Sequence, residues 1–215
     1  MCSVWSALCA ARSPEARMFK RLFDVLGAGF GLVLLAPLLV GIALWIKLDS
    51  RGPVFFRQQR VGRFGAPFHI HKFRSMRENA PLAGPQITIG ADLRITRAGF
   101  FLRRTKLDEL PQLLDVLAGT MSLVGPRPEV PRYVAMYPPE VRKKVLSVRP
   151  GITDPASIAY RDESTLLARA ADPERAYIEQ IMPAKLRYAV EYVDHMSLAN
   201  DLRLIGATLR LLLTR

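Results

Sequence analysis

Asp108 and Glu109 stand side by side in "LRRTKLDELPQLLDVLAGTMSLVGPRPE", with Arg103, Arg104 and Lys106 within the five preceding residues. Arg127 lies between two prolines further along the same stretch, which limits the backbone freedom around it. Arg149 has a similar setting in "VRPG", and "HKFRSM" adds Lys72 and Arg74. Guanidinium forks take phosphate oxygens two at a time, which makes Arg127, Arg149 and Arg74, with Lys72, candidate phosphate-binding residues. A carboxylate pair among such cations suits a divalent metal with a diphosphate, because Mg2+ is held by one or two carboxylates plus substrate phosphates. Asp108 and Glu109 are therefore candidate catalytic groups and candidate Mg2+ ligands. A carboxylate can also act as a nucleophile and form an acyl phosphate. A plainer reading stands beside these: acidic residues at a helix start favour the dipole, and Asp108 would then be an N-cap.

Other sites are weaker. His69-x-His71 would put two imidazoles on one face of a strand without an evident third ligand. His195 reads as a surface or packing residue. The chain shows no Gly-rich P-loop, no GxSxG elbow and no Cys–His zinc spacing.

The elements that must position the carboxylates can be read around them. Leu110, Leu113, Leu114 and Leu117 recur at helical spacing and Gly119 ends the pattern, so Asp108 and Glu109 open a helix with Pro111 in its first turn. "PVFFRQQRV" and "PFHIHKF" predict a β-hairpin around Gly62–Gly65. "ENAPLAGPQITIGADLRITRAG" predicts loop. The last third predicts helices around 164–171, from Pro173 to Val193, and from Ser197. In the last of these, Leu198, Leu202, Ile205, Leu209 and Leu212 share a face flanked by Arg203 and Arg210, suited to a membrane surface or to packing on the body.

"VLGAGFGLVLLAPLLVGIALWI", Val25 to Ile46, is 22 residues without a charge. Such a helix is about as long as a bilayer's hydrocarbon is thick, and it has no polar face for a small soluble core. Arg12, Arg17, Lys20 and Arg21 precede it, and Lys47, Arg51, Arg57 and Arg60 follow it. Basic flanks at both ends favour a re-entrant segment that bends at Pro37 over a kinked spanning helix, because both ends then lie on the cytoplasmic side. The net charge of +12 and pI near 10.3 point to a polyanionic partner: nucleic acid, anionic lipid or a phosphorylated substrate. The two cysteines, Cys2 and Cys9, cannot staple the body, and Met18 in "MFKRLFD" is a candidate start.

Six motifs in order, "FRQQRVG", "HKFRSM", "DLRITRAG", "LRRTKLDELPQL", "GTMSLVGPRPE" and "VRPGIT", resemble those of the bacterial sugar transferases, monotopic phosphoglycosyl transferases that start glycan assembly on a polyprenol carrier. The resemblance covers about residues 18–215. It implies transfer of sugar-1-phosphate from a UDP-sugar to polyprenol phosphate with release of UMP. It also implies Asp108 as nucleophile, Glu109 as its partner, Mg2+ as cofactor, and Arg103 and Arg127 on phosphate. It implies a re-entrant helix–break–helix at the cytoplasmic face of the bacterial inner membrane. Three departures stand out: Ala36–Pro37 where Ser–Pro is common, "PGITDPASIAYRDE" where many members read "PGITGWAQ", and Thr120 where many carry an acidic residue.

The expected fold is α+β: tail 1–17, re-entrant membrane helix 18–49, catalytic core 50–159 with a small antiparallel β element, and C-terminal helices 160–215. The expected partners are the UDP-sugar, polyprenol phosphate and the lipid bilayer, with homo-oligomerisation left open. Nucleic acid is not expected, since no helix-turn-helix, zinc finger or RNP pattern occurs. The alternative is a membrane-anchored adaptor or inactive homologue, which would not require carboxylates among arginines.

Overall fold

The computed structural model describes residues 14–77, 92 and 94–214. The tail with Cys2 and Cys9, and most of the expected Gly/Pro-rich loop, lie outside the described residues.

Helix α1 (Pro14–Asp49) runs for 36 residues, about 54 Å at the α-helical rise. Ala36 and Pro37 stand inside this continuous helix rather than in a break between two helices. Proline removes one helical hydrogen bond and can kink a helix without ending it. Ala28, Leu32, Leu35, Leu39, Ile42 and Ile46 recur every three or four residues and turn one stripe to the body. The opposite side, including Leu26, Phe30, Val33, Leu34, Val40 and Leu44, is exposed. Only 11% of the most apolar window is buried, so α1 does not fill a core. It is long and apolar enough to cross a membrane.

The hairpin forms as its pattern predicts. β1 (Phe55–Val61) pairs antiparallel with β2 (Pro67–Phe73), with Phe55 opposite Phe73 and Gln58 opposite Ile70. Helix α2 (Arg97–Thr105) starts at Thr96, whose side chain accepts from the Gly99 amide at 2.9 Å. A Cβ on Gly99 would collide with the Ser75 backbone, so glycine lets α2 press against the end of "HKFRSM". Helix α3 (Gln112–Ala118) ends at Gly119, where the leucine pattern ends it. Leu113 and Val116 of α3 pack beneath Ala28 with Met121 and Ile70, while Leu102 and Phe73 pack beneath Ile42 and Ile46.

One β element goes beyond the sequence reading. β3 (Ser122–Val124) and β4 (Gly151–Thr153) form a parallel pair joining "SLVGPRP" to "RPGIT". Gly125 and Gly151 meet backbone to backbone there, and a Cβ on either would strike the other strand. The molecule is mixed helix and sheet, as the α+β expectation has it, with a parallel pair beside the antiparallel hairpin.

The C-terminal half is helical: α4 (Pro131–Val134), α5 (Pro139–Val145), α6 (Pro155–Ala159), α7 (Glu163–Ala168), α8 (Pro173–Ala176), α9 (Met182–Asp194) and α10 (Leu198–Leu213). A wide turn at Tyr177–Ile181 joins α8 to α9. Tyr133 and Val145 share a core with Leu167, Tyr177 and Leu186. Helix α10 packs through Leu204 and Ile205, while Leu198, Leu202, Leu209 and Leu212 stay exposed. Its buried Asp201 accepts from Lys20 at 2.6 Å and from the Tyr192 hydroxyl at 2.7 Å, tying α10 to the start of α1.

Candidate active site

The carboxylate pair does not open α3. Helix α2 stops at Thr105, and Lys106 takes a left-handed conformation, φ 60° and ψ 13°. That geometry costs an ordinary side chain on the order of 1 kcal/mol. It turns the chain into a single 3₁₀ turn, Leu107–Glu109, ahead of Pro111 and α3. Neither that turn nor α3 has a side-chain N-cap bond, so the N-cap reading of Asp108 is corrected.

Glu109 is gripped from two sides. Arg127 meets it with both terminal nitrogens: Nη1 donates to Oε2 at 3.1 Å and Nη2 to Oε1. Lys72 Nζ, from β2, donates to Oε1 at 2.8 Å. Burial alone would raise the Glu109 carboxyl, but the Arg127 and Lys72 charges and the Arg127 hydrogen bonds hold it well below the usual range. Glu109 in turn raises the Arg127 guanidinium. Burial lowers the Lys72 ammonium, with Glu109 opposing that shift. The buried Asp154 sets the arginine: it accepts from the Arg127 amide at 3.3 Å and caps α6 through the Ser157 amide at 2.7 Å.

Asp108 is in the opposite state. It is 7% exposed, and its Oδ1 is buried without a hydrogen-bond partner. Burial raises its carboxyl above the usual range; Lys72 opposes this, Glu109 adds to it, and Arg103 and Lys106 pull it down. Arg103 reaches the same region from α2, with Nη1 at 3.5 Å from Ser75 Oγ. Two adjacent carboxyls with shifts of opposite sign are a recurrent mark of sites with divided acid–base roles. Asp108 is a poorly solvated carboxylate with a free oxygen, and Glu109 anchors two cations beside it.

Two predicted phosphate ligands are engaged elsewhere. The Arg74 guanidinium donates to the carbonyls of Ser50 at 2.7 Å and Ile46 at 3.4 Å, and to that of Arg51, finishing the end of α1. Arg149 Nε donates to the Gly119 carbonyl at 2.8 Å, beyond the far end of α3, which is about 10 Å long. Both cap helix ends, where unpaired carbonyls attract cations, a role that charge and proline spacing did not reveal. His71 is held by a carboxylate: Asp115 Oδ1 lies 2.6 Å from its Nδ1, and Asp115 Oδ2 accepts its amide at 2.8 Å. The signal for that pair was a buried acid on the apolar side of α3. His195 is exposed, with Nδ1 at 3.0 Å from the Glu191 carbonyl. Thr120 Oγ1 donates to the Asp115 carbonyl at 3.1 Å.

No cluster of three or more His, Cys, Asp or Glu side chains suited to a metal occurs among the described residues. The dyad fits Mg2+ only as the protein's share of a site, with Asp108 Oδ1 uncommitted and the remaining oxygens coming from substrate phosphates.

The model of the family described as "Bacterial sugar transferase" matches residues 15–215, nearly the whole chain. The chain belongs to the bacterial sugar transferase family. This bacterial sugar transferase is 37% identical over 204 residues to the UDP-N-acetylgalactosamine-undecaprenyl-phosphate N-acetylgalactosaminephosphotransferase of Aeromonas hydrophila, covering 94% of this chain and 45% of that protein. It is 39% identical over 197 residues to the UDP-glucose:undecaprenyl-phosphate glucose-1-phosphate transferase of Escherichia coli, covering 89% of this chain and 39% of that one. It thus spans less than half the length of these two relatives. Against the exopolysaccharide production protein PSS of Rhizobium leguminosarum bv. phaseoli, 39% identity extends over 206 residues, 92% of this sugar transferase and 96% of its relative.

Proposed function

We propose that this protein is a phosphoglycosyl transferase that moves sugar-1-phosphate from a UDP-sugar to polyprenol phosphate and releases UMP. The observation that carries the reading is the uncommitted, buried Asp108 Oδ1 beside a Glu109 that fixes Arg127 and Lys72. The relatives are named for undecaprenyl phosphate and UDP-sugar substrates, which agrees with that chemistry. Asp108 attacks the phosphorus bonded to the sugar and holds the sugar phosphate as an acyl phosphate until the lipid phosphate takes it. Arg127, Lys72 and Arg103 bind and orient phosphate oxygens, and their fixed charges favour the transition state. Asp108 and Glu109, with the substrate phosphates, would hold Mg2+, which supplies charge neutralisation on the diphosphate. The test is a panel assay of the full chain in detergent with Mg2+, undecaprenyl phosphate and UDP-glucose or UDP-N-acetylgalactosamine. UMP release with radiolabelled sugar phosphate passing to the lipid is expected. Lipid-dependent UMP release from none of a broad set of UDP-sugars would leave the adaptor reading standing.

The protein sits on the cytoplasmic face of the bacterial inner membrane with α1 re-entering it. Support comes from packing: Asp24 and Ala28 in the first half of α1, and Ile42 and Ile46 in the second, are buried against one body. A single body gripping both halves cannot stand on both sides of a bilayer. In intact cells, Met18→Cys and Arg51→Cys, each in a background without Cys2 and Cys9, should both resist an impermeant thiol reagent and both label after lysis. Labelling of the first site alone before lysis would show a spanning helix.

A further inference from the structure

Asp115, in the middle of α3, is 3% exposed, and both of its carboxylate oxygens go to His71. Oδ2 accepts the His71 amide at 2.8 Å, and Oδ1 lies 2.6 Å from Nδ1 of its ring. An ionised carboxylate only accepts, so Nδ1 carries the ring proton and the tautomer is set. The amide bond also bears on β2. His71 stands opposite Arg57, and its N–H points away from β1 toward α3, so these two residues exchange no cross-strand hydrogen bonds. Pairs alternate along an antiparallel ladder, which makes the next pair, Lys72 with Phe56, a hydrogen-bonded one. Neighbouring residues of β2 are thus held from opposite sides, Lys72 by β1 and His71 by α3. Ile70, on the other side of His71, shares a core with Leu113 and Val116 of α3. Lys72 is the residue whose Nζ reaches Glu109 Oε1 at 2.8 Å, and its charge is the foremost one opposing the burial of Asp108.

We infer that Asp115 is a positioning residue for the transfer reaction: by clamping His71 to α3 it fixes Lys72 on Glu109, beside Asp108. This role rests on the phosphoglycosyl transfer reading, in which Lys72 orients phosphate oxygens. Only Leu110 and Pro111 separate Glu109 from α3, so the clamp joins the strand that carries the cation to the helix that follows the carboxylates. A carboxylate is needed because His71 presents two donors, its amide and Nδ1–H, and a side-chain amide has one oxygen. Asp115 moves no proton and takes no phosphate oxygen, since both of its oxygens are committed. It acts through Lys72, and a cation displaced by about 1 Å can cost about 10²-fold in rate.

The test is a double-mutant cycle of Asp115→Asn with Lys72→Met. It reads the first UMP released per active site when the full chain meets UDP-glucose or UDP-N-acetylgalactosamine with Mg2+ and no lipid acceptor, followed over hours so that slow variants are still measured. Asp115→Asn should slow release at saturating donor by about 10–10²-fold, with the half-saturating donor concentration changed by less than about threefold. In the Lys72→Met background the same substitution should cost less than about threefold, because the residue through which it acts is gone. An unchanged rate in a folded Asp115→Asn overturns the role. So does an equal loss with and without Lys72, which would mark Asp115 as a residue of the fold alone. His71→Ala drops the ring bond and keeps the amide bond, and it carries the test if Asp115→Asn does not fold. A smaller loss, coupled to Lys72 in the same way, supports the clamp, and an unchanged rate overturns it. If wild type releases UMP from neither donor nor from a wider UDP-sugar set, the function reading fails and this role with it. An active wild type with an uncoupled Asp115 sinks this role alone.

Discussion

Asp108→Asn should abolish turnover and raise the unfolding temperature. The amide keeps the shape of the carboxyl but has no anionic lone pair for phosphorus, so UMP release should fall about 10⁴-fold or more, the scale seen when a nucleophile is removed. Stability should move the other way, by on the order of 1 kcal/mol, because the wild-type site holds a buried carboxylate with one oxygen left without a hydrogen-bond partner. The sign follows from the raised Asp108 carboxyl. Between the ordinary carboxylate range and that higher value, the folded protein keeps a proton that the unfolded chain has released. Stability from this group therefore falls as pH rises through the window and is lowest once Asp108 is ionised. Activity needs the ionised form, so the acid limb of kcat/KM should lie above the ordinary aspartate range and reflect the free enzyme. Thermal unfolding in detergent and a pH series of UMP release check both halves. Substantial turnover by Asp108→Asn, or kinetics that require both substrates bound at once, would rule out the covalent route.

Glu109→Gln should do the reverse to stability. It removes the counter-charge from Arg127 and Lys72 in a site where Glu109 is 12% exposed at the side chain, and stranding one partner of a buried ion pair costs about 3–5 kcal/mol. Activity should fall as well, since both cations lose the anchor that aims them. The Glu109 carboxyl is held low, so its stabilisation is present above the unfolded carboxylate value and is lost as pH falls through the lowered folded value. The stability gap between Glu109→Gln and wild type should therefore narrow in acid. Adding Arg127→Met to Glu109→Gln should recover part of the loss, because the stranded guanidinium is then gone. Urea unfolding of the two single variants and the double variant gives the coupling. A loss below about 1 kcal/mol for Glu109→Gln would mean that the three groups are solvated and loosely held.

Much of this was legible in the chain. Strand alternation around Gly62–Gly65 placed the hairpin, and leucine spacing placed α3, because each is a local pattern with a fixed period. The apolar length of Val25–Ile46 marked α1, but its continuous path through Pro37 depends on what both halves pack against. β3 and β4 have three residues each and join across a long separation, which leaves no periodic trace. In the site, charge clustering singled out Lys72, Glu109 and Arg127, which the fold brings into contact. The same reasoning could not separate them from Arg74 and Arg149, because an arginine at a helix end and one facing phosphate look alike in sequence.

The inward stripe of α1 bears on whether this protein is modular. Ala28, Leu32 and Leu35 roof Leu113 and Val116 of α3, while Ile42 and Ile46 roof Leu102 of α2, the two helices that flank the Asp108 turn. Deleting α1 to obtain a water-soluble fragment would strip that roof and leave those side chains bare above the carboxylates. Putting another apolar helix in its place would not restore the covering surface. Helix α1 and the scaffold are one part here, so substitutions along the inward stripe act on the geometry around Asp108 and Glu109, and those along the outward stripe leave that packing intact.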